Sequence, residues 1–333
     1  MKVISLFCGC GGMDLGLVKS GHTVIWANDI DKDSISTYRN YFIKKLKHKN
    51  TILYQEDIKK VNTKDIPKGD VVVGGFPCQG FSIANTFRNE KRAMETKNNV
   101  LYRQLIRIIK DKKPKYFIAE NVKGILSLGG YKTELDKKNR EGLVMKNILK
   151  EMRSIGYRVT WKVMNAADFG APQNRHRVIF LGTRIDLKKE FVHPPSTHSL
   201  NGEDMFLQKT PTLWEAIGDL ENKYGNPEII NSFGSQYRVK INNYIGNRKT
   251  IKNKPSPTIV GRGGGTGGPI IIPHPNGKRR LSVREVARLQ CFPDDFEFMG
   301  SISSGYRQIG NAVAWPVANA LGNQLNLLDF KNS

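Results

Sequence analysis

Cys78 lies in the run Gly74-Gly75-Phe76-Pro77-Cys78-Gln79-Gly80-Phe81-Ser82, directly after a short apolar stretch. A cysteine set between glycines and a proline at a strand end is presented on a loop and not packed into a core, which suits a nucleophile. Glu120-Asn121-Val122 ends the next apolar run, so a carboxylate reaches the same rim as the thiol. Thiol and acid at one pocket fit nucleophilic addition coupled to protonation. Arg175 and Arg177, in Gln173-Asn174-Arg175-His176-Arg177, are read as opening a later strand. Strand alternation then puts both arginines on one side and His176, read as structural, on the other.

A second group points to a nucleotide-like ligand. Phe7-Cys8-Gly9-Cys10-Gly11-Gly12 follows the first apolar run, and a strand, a glycine turn and a helix start together let backbone approach such a ligand closely. The dinucleotide fingerprint is broken by Asp14 at the third glycine position, and a P-loop is excluded because Leu17, not lysine, follows Gly16. Asp29, just past the second strand, has the reach to accept both hydroxyls of a ribose, and Asp57 after the third strand extends the series. A plain tight turn and unrelated surface acids are the competing readings.

An alternating pattern of strands and crossover helices is what would hold these residues at one rim of a mostly parallel sheet. Strands are expected at Val3 to Phe7, Thr23 to Ala27, Ile52 to Tyr54, Val71 to Val73 and Tyr116 to Ala119, with a closing pair at Tyr157 to Met164 and Arg177 to Leu181. Helices are expected at Asp14 to Ser20, Asp33 to Phe42, around Leu101 to Ile109, Val144 to Ile155, Ser282 to Gln290 and Val313 to Leu325. From about Ile185 to Lys278 the chain turns polar and loop-rich, and a second, smaller domain is placed there, surface insertions being the alternative.

The 333 residues, 39% of them apolar, suffice for an ordinary core of about two domains, which excludes a disordered or fibrous chain. A net charge of +23 makes a polyanion the default partner, nucleic acid before a membrane surface. Cys8, Cys10, Cys78 and Cys291 are too few for a disulfide framework and form no zinc pattern, so a reducing setting and no metal are expected. The apolar stretch after Lys2 imitates a signal peptide, but Gly9, Gly11, Gly12 and Asp14 interrupt it, and nothing is expected to enter a membrane.

Taken in order, these segments resemble the cytosine-5 DNA methyltransferases of bacterial restriction-modification systems. The likeness rests on the Phe7 to Gly12 loop, Pro77-Cys78-Gln79, Glu120-Asn121-Val122, Gln173 to Arg177, Arg284-Glu285-Val286-Ala287-Arg288-Leu289-Gln290 with Phe292-Pro293, and Gly310-Asn311-Ala312-Val313. It implies a Rossmann-like S-adenosylmethionine-dependent methyltransferase fold. Residues 1–184, completed by 305–333, would form the catalytic and cofactor domain, 185–276 a smaller loop-rich target-recognition domain, and 277–304 the connection.

The resemblance also implies roles. Cys78 would add to C6 of cytosine, Glu120 would hold N3 and the exocyclic amine, Arg177 would contact O2, and Arg175 would support the catalytic loop. S-adenosylmethionine, leaving as S-adenosylhomocysteine, would sit on Phe7, Gly9, Gly11 and Gly12, with its ribose on Asp29 and its adenine by Ile30, Asp57 and Ile58. Gly75, Pro77, Leu101, Asn311 and Val313 would complete that pocket. Glu56 before Asp57, where the family often has glycine, and the aliphatic Ile30, where some members stack an aromatic, depart from the pattern.

The partner implied is double-stranded DNA, with the target base flipped out. Contacts are expected from Ser82 and Arg88, in a polar segment that also carries Thr86, Asn89, Lys91 and Arg92, and from Arg248, Lys249 and Arg262. Arg262 stands among glycines and has a plain backbone turn as its competing reading. Lys278-Arg279-Arg280 and the stretch from Arg248 to Lys254 are further candidates for phosphate contacts, or else solvated faces. A monomer in the cytoplasm is expected, with a cognate endonuclease as a functional counterpart and no stable protein partner. Methylation of tRNA, a non-catalytic cofactor-binding regulator and a nicotinamide oxidoreductase are the rival functions. The long insertion, the presence of Cys78 and the broken glycine fingerprint speak against them in turn.

Overall fold

The computed structural model describes residues 1–77, 101–200, 202, 205–242, 247–261 and 272–329. Seven strands form one sheet: β1 (Lys2–Leu6), β2 (Thr23–Asp29), β3 (Ile52–Gln55), β4 (Val71–Gly75), β5 (Tyr116–Val122), β6 (Tyr157–Asn165) and β7 (His176–Arg184). Their order is β3-β2-β1-β4-β5-β7-β6, with β1 to β5 mutually parallel and β7 antiparallel to both its neighbours. The chain builds outward from β1 in one direction and from β4 in the other, so a crevice opens at the carboxyl ends of these two strands, where open α/β sheets bind ligands.

Continuous apolar runs make the central strands β1, β4, β5 and β7, each of which feeds two cores, while edge strand β3 is largely exposed. Val3, Val71, Val73, Ile118, Ile179 and Leu181 enter one core, and Ile4, Val72, Phe117, Ala119, Val178 and Phe180 enter the other. The first is covered by α1 (Gly12–Lys19) and α9 (Trp315–Asp329), and the second by α3 (Leu101–Lys112) and α5 (Leu143–Ser154). Burial on both faces removes the polar alternation of a half-exposed sheet.

The helices differ in detail from the sequence expectation. The helix expected at Asp33 to Phe42 is α2 (Lys32–Tyr38), capped by Asp31, and it runs on as a wider π-helical turn over Arg39–Lys45. Short α4 (Glu134–Asn139) precedes α5, and α6 (Leu213–Ile217) lies in the polar segment. The capped pattern at Ser282 is α7 (Val283–Leu289), where Ser282 and Glu285 form a reciprocal capping box. Ile302–Asn311 forms α8, which the periodicity did not show. The final helix starts at Trp315, not Val313, because Ala312 is extended and Pro316 suits the first turn.

Among its described residues, the polar segment after β7 has little regular structure. A two-residue pair, β8 (His198–Ser199) with β9 (Gln208–Lys209), and α6 are its main elements. Its apolar residues Leu213, Ile217, Ile259 and Ile272 are buried in the first core with Val283, Leu289 and Ile309. Among the described residues no helix is long and apolar enough to cross a membrane.

Candidate active site

The glycine turn leaves β1 in a conformation that projects backbone into the crevice. Phe7, Gly9 and Gly11 all have positive φ, at 53°, 54° and 94°. The Cys8 N–H donates to the Asn28 carbonyl at 2.9 Å, and the Gly9 N–H donates to Asp29 Oδ2 at 2.8 Å. A side chain added at Gly9 would meet open space, whereas one at Gly11 would run into Phe42. The turn therefore leaves a bare backbone cradle beside Asp29. Gly12 packs on the Ala312–Val313 segment, so the carboxyl-terminal part of the chain backs the turn.

Asp29 closes the cradle. Its Oδ1 accepts from the Asp31 N–H at 2.9 Å, which aims the carboxylate across the strand end. Burial pushes its carboxyl up from the usual range, with the Asp31 charge acting the same way and the N–H donors of Asp31 and Gly9 opposing. Ile30, 67% exposed, offers an apolar face at the same rim. Asp57 spends its carboxylate on its own turn, accepting from the Lys59 N–H at 3.0 Å, and Ile58 is buried in the second core. Leu101 is half-buried at the start of α3, Asn311 is exposed at the end of α8, and Val313 is buried.

Two residues behind the cradle carry more than the sequence showed. Asp14, read only as a break in a glycine fingerprint, is fully buried and accepts from Ser5 Oγ at 2.7 Å and Tyr38 OH at 2.8 Å. Burial pushes its carboxyl up to about 6, against those two hydrogen bonds. Asn28 is buried at the end of β2 and donates from Nδ2 to the carbonyls of Tyr54 and Glu56, fixing the exit of β3. Its signal in the sequence was an amide inside an apolar strand, immediately before the acid.

The catalytic candidates converge at β4, β5 and β7. Gly75 pairs with Glu120, and Val122 pairs with Arg177. Glu120 and Arg177 share a face of the sheet, and Arg177 Nε lies 2.7 Å from Glu120 Oε1 with both side chains largely buried. Asn121 Nδ2 donates to the Phe76 carbonyl at 3.2 Å, tying the end of β5 to the chain that leads through half-buried Pro77 towards Cys78. Cys78, Ser82, Arg88 and Arg262 lie outside the described residues, as do Thr86, Asn89, Lys91 and Arg92.

Arg175 lies one residue before β7, has its guanidinium pushed down by burial, and feels the charges of both Arg177 and Glu120. Its buried guanidinium donates to the carbonyls of Ile259 at 2.6 Å and Gly310 at 2.7 Å. It joins the polar segment, at Ile259, to α8. His176 is exposed, as a residue on the opposite side of the strand should be.

The basic clusters also divide. Arg248 and Lys249 are exposed, while Lys252 lies 3.5 Å from the centre of the Trp214 ring. Arg279 and Arg280 are not available to phosphate. Arg279 makes a two-pronged pair with buried Glu285, both contacts at 2.7 Å, and buried Arg280 donates to Asn247 Oδ1 at 3.0 Å; Lys278 alone of the three is exposed. Arg284 is equally internal, donating to the carbonyls of Ile230, Pro293 and Phe296.

Comparison with known proteins gives the family of the chain. Residues 1–326 match the model of the C-5 cytosine-specific DNA methylase family. The type II methyltransferase M.NgoFVII of Neisseria gonorrhoeae is 34% identical over 94% of this chain and 83% of its own. M.NgoPII of the same organism is 33% identical over 96% and 95%, and M.BsuRI of Bacillus subtilis is 34% identical over 98% and 79%. In fold, the chain is similar to a methyltransferase encoded within an Escherichia coli prophage, with TM-score 0.68, 24% identity and 99% of each chain covered. It is also similar to the Entamoeba histolytica methyltransferase EhMeth, with TM-score 0.66, 18% identity and 99% of each chain covered. With the family model spanning nearly the whole sequence, the chain belongs to the C-5 cytosine-specific DNA methylases and is an S-adenosylmethionine-dependent DNA (cytosine-5)-methyltransferase.

Proposed function

We propose that the rim between β4, β5 and β7 receives a cytosine swung out of a DNA duplex, and that Cys78 attacks it. The observation that carries this reading is the Glu120–Arg177 pair at 2.7 Å, facing the strand end from which Pro77 leads to Cys78. Carbon 5 of cytosine is a poor nucleophile. Addition of the Cys78 thiolate at C6 pushes an electron pair of the ring towards C5 and N3. Glu120 steadies that charge, one oxygen accepting from the exocyclic amine while the other shares a proton with N3. Arg177 orients Glu120 and stands where it can meet O2. S-adenosylmethionine, when bound, supplies an electrophilic methyl carbon to C5. The C5 proton then passes to a base, for which water suffices, the C5–C6 double bond reforms, and the Cys78 thiolate leaves.

The donor fits the rim. The backbone of Phe7, Gly9, Gly11 and Gly12 would cradle it, Asp29 would take the ribose hydroxyls, and Ile30 would cover the adenine, with Asp57 and Ile58 beside it. Gly75, Pro77 and Leu101 would wall one side, and Asn311 with Val313 the other. Arg175 acts at one remove, by holding Ile259 and Gly310 together.

None of the reacting atoms of cytosine is accessible inside a duplex, so the base must be extruded. We assign sequence readout to 185–276, with 1–184 and 305–333 as the catalytic part and 277–304 as the connection. The charge of +23 supplies affinity for phosphate, with Ser82, Arg88, Arg248, Lys249 and Arg262 as the proposed contacts. The type II names of the relatives support a restriction-modification role, in a monomeric cytoplasmic enzyme whose counterpart is an endonuclease of the same recognition sequence. Incubation with methyl-labelled S-adenosylmethionine and either duplex DNA or tRNA tests the reading. Label is expected in the duplex, at carbon 5 of cytosine by bisulfite sequencing; label in tRNA alone would overturn it.

A further inference from the structure

We propose that Arg307 is a positioning residue for the methyl donor, acting from α8 through Asp31 on Asp29. Arg307 Nη2 donates to Asp31 Oδ2 at 2.8 Å and lies 3.8 Å from Asp33 Oδ2. Asp31 is the hinge of this arrangement. Its Oδ1 caps α2 by accepting from the Ser34 N–H at 2.9 Å, and its own N–H donates to Asp29 Oδ1 at 2.9 Å. Asp29 in turn holds the Gly9 N–H at 2.8 Å. A single arginine, remote in sequence, therefore reaches the carboxylate and the glycine cradle by way of one capping residue.

The electrostatics give this link a purpose beyond packing. Cys8 and Cys10 of the glycine turn and Asp31 of its own loop face Asp29, and the Asp31 charge opposes its ionisation. An ionised Asp29 accepts two ribose hydroxyls, whereas a protonated one loses acceptor capacity. Arg307 pairs with Asp31 and so offsets that charge, and Asp33 lies just beyond it. This inference rests on the reading of Asp29 as the ribose ligand.

The test is calorimetric titration of the full chain with S-adenosylmethionine, across pH. The Arg307–Asp31 pair is partly exposed, so Arg307→Gln is expected to weaken binding about three- to fivefold. Its acidic limb should move to higher pH, and the effect should fall on the donor KM in preference to kcat. Arg307→Lys, which keeps the charge, retains most of the affinity. Adding Asp31→Asn to Arg307→Gln preserves the helix cap while removing the charge, and should restore affinity to within about twofold of the parent. Unchanged binding in Arg307→Gln, or no recovery in the double variant, would overturn the inference. Unchanged binding in Asp29→Ala would instead overturn the ribose assignment beneath it.

Discussion

Glu120 and Arg177 meet diagonally across the β5–β7 ladder, where Glu120 is directly opposite Ile179 and Arg177 directly opposite Val122. Diagonal neighbours on one face of an antiparallel pair are within reach of long side chains. The sheet itself thus fixes the acid and its cation. Glu120→Gln should lower kcat by about 10²–10⁴-fold while leaving donor affinity intact, and Arg177→Ala should fall in the same range. Single-turnover methylation alongside calorimetric donor titration separates the two quantities; an equal loss of donor binding would place these residues in the wrong pocket.

Gly75 is a neighbour able to disturb that pair without touching the core. A Cβ there would lie 2.9 Å from Glu120 Oε2. Gly75→Ala should push the carboxylate aside and cost about 10²-fold in kcat, as misplacement by roughly an ångström does. The melting temperature should move by no more than about 2 °C, because the strand ends here at a half-buried position. Full activity in this variant would contradict the placement of Glu120 at the reacting base.

Asp14 makes stability depend on pH. Its carboxyl is raised in the fold, from 3.8 to about 6, by burial. The folded state holds the proton more tightly than the unfolded chain, so this contribution is complete below about pH 4 and is lost as pH rises to about 6. The loss is on the order of 2–3 kcal/mol. Asp14→Asn, which cannot ionise, should therefore gain stability relative to the parent between pH 4 and pH 7 in urea titrations. A difference between the two that stays constant over that range would contradict the raised carboxyl.

Arg175 is the test of the buried clamp. Arg175→Met leaves the carbonyls of Ile259 and Gly310 without their charged donor, and a loss of about 3 kcal/mol in unfolding free energy is expected. Wild-type stability in this variant would show that the two carbonyls find other partners.

The legible and illegible parts of this molecule differ in the range of their contacts. β4 and β5 were plain in the sequence because residues such as Val72 and Phe117 declare burial locally, and Pro77-Cys78 and Glu120 follow at their ends. α8 was not plain. Gly305 and Gly310 weaken its propensity, and its buried face is sustained by partners far along the chain, such as Gln290, which donates to the Ile309 carbonyl. The clamp made by Arg175 was not plain either, because its carbonyl partners stand 84 and 135 positions away. Arg279 and Arg280 looked like a phosphate-binding cluster for the same reason, since a run of charge does not show that Glu285 and Asn247 already answer it.

Reaction with duplex DNA in which 5-fluorocytosine replaces cytosine measures the central claim most directly, because fluorine at C5 cannot depart as a proton does and the enzyme is held on its substrate. With S-adenosylmethionine present and the recognition sequence included, mass spectrometry should find one DNA adduct, mapped to the peptide containing Cys78 and missing from Cys78→Ala. An active enzyme that yields no adduct, or one attached at another residue, would contradict the account.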